Sequence, residues 1–462
     1  MAIFASNLAP ASTDRALGSA IIQRSLRFNR SDNPQLQRTA TTTSNTFTYS
    51  TWVKRSNLST FQYLFSIGGQ GLLFNTDDTI RVYTDGGANA STAKFRDTTS
   101  WYHVVLSMNS GSATVYVNNV THLSSVSGFS LSTSTNYLKV GWLLGDPGQF
   151  NLDGYLAETQ LIDGSALTPS SFGFTDSQTG MWMPKRYEGS YGTSGFRLDY
   201  SDNSSTSALG IDKSPNGNDF TVNNFSVSSG DGNDSRTDTP TLRKATLNSI
   251  TGWTYNATLK NGALEMTGSA GFKEISTIAI DGTSKLYYEL VRTNAAGWQL
   301  VGIFIGQPNN PSNALTNSAI WGFASTQAQY FGGTYTSTSN VPGWSVGNVM
   351  GIKYENGTLK LYKDGTLATS NATGIPTDDV IFAYIANDNT NAASFVRFDS
   401  DSWTQATAAG VDSTWELSGK KLSPNVPSIV RPKNAALESV ELTEPNTPSR
   451  QASKSFCLWF AM

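Results

Sequence analysis

The oxygen-bearing side chains of one short loop have the clearest chemical potential. Asp212, Ser214, Asn216 and Asp219 stand at near-alternate positions around Gly217. Such spacing lets a loop fold several oxygens around a hard cation, and calcium is the cofactor this set would take. The acidic residue that usually closes a helical calcium loop is missing, because Asn223 occupies its place. Asx-rich turns have the same composition without any metal. A second group is aromatic. Trp142, Trp298, Trp321, Tyr330, Tyr335 and Trp344, with Phe331, lie in or beside Gly-, Ser-, Thr- and Asn-rich stretches. Flat rings among amides and hydroxyls suit contact with a saccharide or peptide. The competing reading makes most of them core anchors. A third group is the apolar tip Phe456, Leu458, Trp459 and Phe460, carried on a tail with prolines from Pro424 to Pro448. Prolines favour an extended path, so the tip is expected to dock on a neighbouring subunit.

Other chemistry finds little support. The chain has two histidines, His103 and His122, and one cysteine, Cys457. Zinc needs clustered His and Cys, and a disulfide needs two Cys. No phosphate-binding glycine loop and no nucleophile-elbow motif occurs. Glycan cleavage requires two carboxylates about 5–9 Å apart. On a strand they would appear at i and i+2 or i+4; Glu158 stands alone, and Asp199 and Asp202 lie in a turn-rich stretch. The net charge of −3 and the lack of a long basic run give nucleic acid no electrostatic handle. No apolar run approaches the roughly 18 residues of a membrane span. The N-terminus has neither the basic start nor the apolar centre of a secretory signal.

The elements that must position these groups read as strands. Only 15% of the 462 residues are charged, while aromatics reach 11% and glycines number 41. That balance suits short strands joined by turns. Residues 47–53 alternate large and small polar side chains, the pattern of a half-buried strand. Residues 101–108 and 113–117 flank Asn109-Ser110-Gly111-Ser112, and 349–354 and 358–362 flank Glu355-Asn356-Gly357; both are hairpin signals. The predicted class is all-β, with two jelly-roll-type sandwiches in series, a loop-rich connector and extended terminal arms. The expected boundaries are an arm at 1–24, a sandwich at 25–165, a connector at 166–245, a second sandwich at 246–404 and a tail at 405–462. The connector is expected to pack on the first sandwich through Trp182, Tyr191, Phe196 and Phe220.

Three resemblances add context. Residues 47–54, Trp101-Tyr102-His103-Val104-Val105, Tyr116-Val117-Asn118 and Gly154-Tyr155-Leu156-Ala157-Glu158 resemble, in order, the strands of laminin G-like, concanavalin A-like domains. Asn118-Asn119 replaces the family's frequent Asp-Gly. Tyr288-Glu289, Val301-Gly302, Gly347-Asn348-Val349, the run from Leu359 to Gly365 and Val396-Arg397-Phe398 resemble a SPRY domain, with Asn348 and Asp364 as departures that keep turn chemistry. The connector, from Trp182-Met183-Pro184-Lys185 to Asn224-Phe225, resembles a stretch of tailed-bacteriophage structural proteins, marine ones especially.

Both sandwich families are usually non-catalytic binders. The resemblance therefore implies a virion structural protein, a tail fibre, appendage or capsid-surface component. It would present its sandwiches to a host-surface glycan or protein. Its expected partners are other virion proteins and further copies of itself, a homo-oligomer, with no nucleic acid and no membrane insertion. A secreted or cell-surface glycan-binding protein is the first alternative, and a glycoside hydrolase on the first sandwich the second.

Overall fold

The computed structural model describes residues 21–417, apart from 40–42, 85–86, 128, 132–136, 144–149, 178–179, 229, 249–256, 269–271, 295–296, 307–317 and 388–392. Phe456, Leu458, Trp459 and Phe460 lie outside the described residues, as do most of the two expected arms.

The chain is all-β, as its composition implies. Among the described residues the one α-helix is Ala406–Ala409. The first sandwich packs an eight-stranded sheet on a seven-stranded one. The first sheet is centred on Tyr102–Asn109, Phe47–Arg55 and Gly154–Asp163; the second is centred on Tyr137–Val140, Gln62–Ile67 and Gln70–Phe74. Alternation sends Phe47, Tyr49 and Val53, then Tyr102, Val104 and Leu106, into the core between the sheets. Each such large side chain contributes roughly 1.5–3 kcal/mol on burial.

The strand 47–55 is not half-buried, however; every residue in it is buried. The connector covers the face that alternation assigns to solvent. Phe172 and Tyr191 pack there with Val105 and Ile162, and Trp182 packs with Trp52, Trp101 and Tyr155. The outward polar groups therefore need partners. Thr48 Oγ1 donates to Ser165 O, Ser50 Oγ meets His103 Nε2 at 2.9 Å, and Lys54 pairs with Asp238 at 2.9 Å. The connector also adds strands: Phe196–Leu198 pairs with Gly154–Asp163, Thr221–Asn223 with Gln35–Thr39, and Ser235–Arg236 with Ser25–Phe28. Phe196 and Phe220 enter the main core.

The second sandwich has two seven-stranded sheets. One is built around Lys285–Asn294 and Val349–Glu355, the other around Val380–Asn387, Gln299–Ile305 and Ile320–Ala324. The Asn356-Gly357 hairpin has the two positive φ angles, 42° and 75°, that its tight turn demands. The core closes beyond the expected boundary: Leu417 belongs to it, and its carbonyl accepts from Ala245 N. Ion pairs join the sandwiches. Arg236 binds Asp399, Lys244 binds Glu416, and Arg397 bridges Asp231 at 2.6 Å and Glu289 at 3.0 Å. Tyr155 OH donates to Gly262 O at 2.7 Å.

Candidate functional site

The strands Gln299–Ile305, Ile320–Ala324, Ala328–Phe331 and Thr334–Ser337 lie side by side at one end of a sheet. Register puts Tyr330 opposite both Gly322 and Tyr335, so these three share a face. Gly322, Ala324 and Ala328 are the small residues of that face, and they leave room for large rings to meet above them. Trp298 and Tyr330 lie with ring centroids 6.3 Å apart and planes 19° apart. Tyr335 stands at 60° to Tyr330, 5.3 Å away, and is 57% exposed. Trp298 and Tyr330 are half-buried against Leu300, Phe304 and Tyr384, which braces them. The result is a cluster in which Trp298 and Tyr330 stack and the exposed ring of Tyr335 stands tilted beside them. Such rings suit the C–H face of a sugar.

The other sequence-selected aromatics do not join it. Trp142 and Trp344 are core anchors, 4% and 6% exposed. Their indole N–H groups are spent on Leu36 O at 3.1 Å and Gln299 Oε1 at 3.0 Å. Their turn-rich sequence surroundings had suggested accessibility, but burial closes both to a ligand. Trp321 stacks on Phe331 at 5.8 Å and packs against the main core, on the opposite face from Tyr330.

Asp212, Ser214, Asn216 and Asp219 do converge, but as a hydrogen-bonded frame. Asp212 Oδ1 accepts from Arg197 N and Ser214 N, and Oδ2 from Ser214 Oγ and Asn218 N, at 2.7–2.8 Å. Asp219 Oδ1 accepts from Asp212 N, and Asn216 Nδ2 donates to Gly192 O and Gly195 O. A cation here would have to displace four donors from Asp212. The described residues contain no cluster of three His, Cys, Asp or Glu side chains that could hold a metal ion. The loop instead positions Arg197, whose carbonyl also accepts from Lys213 N at 2.7 Å.

Arg197 leads to a feature that sequence reasoning missed. A cleft of about 630 Å³ is lined by Glu158, Arg186, Glu188, Arg197, Asp199 and Lys213. Glu158 sits at an irregularity where the strand 154–163 slips register against 47–55, between Ala157 and Gln160. Its backbone is left-handed, φ 46°. Arg197 Nε and Nη2 both donate to Glu158 Oε1, and Nη1 lies 3.6 Å from Asp199. Burial pushes the Glu158 carboxyl up, against the pull of Arg197. The one sequence signal was an acidic residue in the middle of the strand 154–163, whose other charged residue, Asp163, is its last.

His103 is buried and fully engaged. Trp52 stacks on it at 4.8 Å, Ser50 Oγ meets Nε2, and Trp182 Nε1 donates to Nδ1 at 2.9 Å. Burial pushes its pKa down to about 3. Its neutral ring accepts at Nδ1, so the proton sits on Nε2 and points at Ser50. This is a structural histidine.

The comparisons bear on the first sandwich. Residues 28–171 match the Laminin_G_3 family, described as the concanavalin A-like lectin/glucanases superfamily. The first sandwich is concanavalin A-like. Among solved structures similar to the chain is the SPRY domain of human HERC1, at TM-score 0.25 and 13% identity, covering 29% of this chain and 87% of that one. Another is domain 4 of AbnA, an extracellular arabinanase from Geobacillus stearothermophilus solved with arabinotriose. It gives TM-score 0.25 and 21% identity, over 29% of this chain and 69% of that one. The heptameric pentraxin of Limulus polyphemus gives 0.29 and 18%, over 39% and 94%. No curated protein matches the chain.

Proposed function

We propose that the protein is a non-catalytic saccharide-binding component of a phage virion, displaying its second sandwich to a host-surface glycan. The observation that carries the binding role is the Trp298–Tyr330–Tyr335 platform, a cluster of three aromatic rings on one sheet face with Tyr335 57% exposed. One further point supports binding over hydrolysis: Asp212 and His103 have their polar atoms committed to protein partners. The virion setting, with other virion proteins and further copies of this chain as partners, rests on the connector's resemblance to phage structural proteins.

The test uses the full chain on a panel of host-surface polysaccharides. Trp298→Ala and Tyr335→Ala should each weaken binding about tenfold, close to 1.4 kcal/mol. Undiminished binding by both variants rejects the platform. Release of free sugar by the wild type favours the hydrolase reading. Antibody labelling of purified particles in the electron microscope tests the virion assignment, and unlabelled particles count against it.

A further inference from the structure

The cleft at Glu158 supports a second site, argued from observations separate from the aromatic platform. Glu158 is 7% exposed, and its Oε2 is buried without a hydrogen-bond partner, while Oε1 takes both bonds from Arg197. A buried polar atom left unpaired costs about 1–3 kcal/mol, more for a charged group. A left-handed backbone at a residue other than glycine adds about 1–2 kcal/mol. The strand carries both costs at one residue, and that residue lines the cleft of about 630 Å³. Irregularities of this kind turn a side chain out of the strand's alternation, often beside a binding site. Here the turn delivers a carboxylate to the cleft floor, poised to accept a hydrogen bond.

The rim has the complementary chemistry. Arg197 is engaged with Glu158 and Asp199, and Asp199 Oδ1 already accepts from Ser201 N and Oγ. The lining is balanced, with Arg186, Arg197 and Lys213 against Glu158, Glu188 and Asp199. Arg186 and Lys213 are nevertheless exposed and make no ion pair among the described residues, so the rim offers two cations free to meet an anionic group. Ile21, 58% exposed, adds an apolar edge. A ligand that fits must donate a hydroxyl at depth, carry an anionic group at the rim, and show C–H groups to Ile21. The cleft volume falls within the range of small-molecule sites.

We propose that this cleft binds a carboxylated saccharide, a hexuronate-type sugar. A ring hydroxyl donates to Glu158 Oε2, and the sugar carboxylate pairs with Arg186 and Lys213. Neutral sugars satisfy the floor but not the rim. Simple anions satisfy the rim but not the floor.

Calorimetric titration of the full chain tests this, with a galacturonate oligosaccharide, a hyaluronan oligosaccharide and an uncharged galactose oligosaccharide as probes. At least one acidic probe should bind tenfold or more tighter than the neutral one. The double variant Arg186→Ala/Lys213→Ala changes exposed side chains, so it should keep the wild-type melt and lose that preference. Glu158→Gln should weaken the acidic probe further, and Trp298→Ala should leave it unchanged. The proposal is overturned if neither acidic probe binds at millimolar concentration, or if the double variant binds as well as the wild type. It is also overturned if sulfate at matched ionic strength competes as well as the sugar. Loss of acidic-probe binding in Trp298→Ala would move the activity to the platform and sink this site alone.

Discussion

The two sandwiches treat their outer faces differently. In the first, the connector lies over the central strands and buries Trp52, Trp101 and Tyr155 beneath Trp182. In the second, Trp298, Tyr330 and Tyr335 are left partly open on the sheet. A covered face can carry charge at depth, because the covering chain supplies counter-ions; Lys54 finds Asp238, and Arg27 finds Asp234. An open face must carry groups that tolerate water on one side and packing on the other, which is what Trp and Tyr do. Covering chain thus decides which chemistry each sandwich can offer: a charged cleft in one, a stacking surface in the other.

The largest expected effect tests whether the ion pairs between the sandwiches matter as much as those within the first. Arg236 and Asp399 are both nearly buried, one from each side. Arg236→Ala leaves Asp399 without its counter-ion, and breaking such a pair costs about 3–5 kcal/mol. Calorimetry of the full chain should show a markedly lower melting temperature. A melt within a degree of wild type would mean that the sandwiches are joined by the chain and little else.

Much of this architecture was legible in the sequence, and the failures have definite causes. Strand alternation, the Asn356-Gly357 turn and the family motifs of the first sandwich are local signals, and the structure keeps them. Trp298, Tyr330 and Tyr335 were legible as candidates because ring-bearing residues flank turns there. Trp142 and Trp344 looked the same, since burial depends on which distant segment packs above a loop. The covered face of 47–55 was invisible for a related reason: its polar residues alternate as if solvated, and two of their partners, Ser165 and Asp238, lie more than a hundred residues away. The cleft was hidden because Glu158 and Arg197 meet only through strand pairing across 39 residues.

A second test addresses the contrast in buried charge. Glu274, in the second sandwich, is 1% exposed and has no counter-ion among the described residues; Oε1 accepts only from Ala257 N, at 2.8 Å. Burial pushes its pKa up to about 8 from an ordinary 4.5. The folded protein then holds a proton that the unfolded chain releases between those values. This contribution is complete below pH 4.5 and is lost as pH rises through 8. Glu274→Gln should flatten the fall in stability between pH 5 and 8.5, a difference of roughly 1–3 kcal/mol. Parallel melting curves for variant and wild type across that range would show that Glu274 is not buried as a neutral acid.

The smallest stability effect is also the sharpest test of the open face. Tyr335 is 57% exposed, and its contacts are the neighbouring ring of Tyr330 and its own edge strand. If the fold needed it, Tyr335→Ala would resemble a core truncation, costing several kcal/mol. If the residue is there for a ligand, little packing is lost, and the change should stay within about 0.5 kcal/mol. Saccharide affinity should nevertheless fall about tenfold, because the exposed ring of the platform is gone. Trp142→Ala supplies the opposite pattern: its buried indole fills the first sandwich, so it should cost about 3–5 kcal/mol and say nothing about binding. Should Tyr335→Ala melt as low as Trp142→Ala, the ring is structural, and the distinction between a covered sandwich and an open one fails at the residue where it is most exposed.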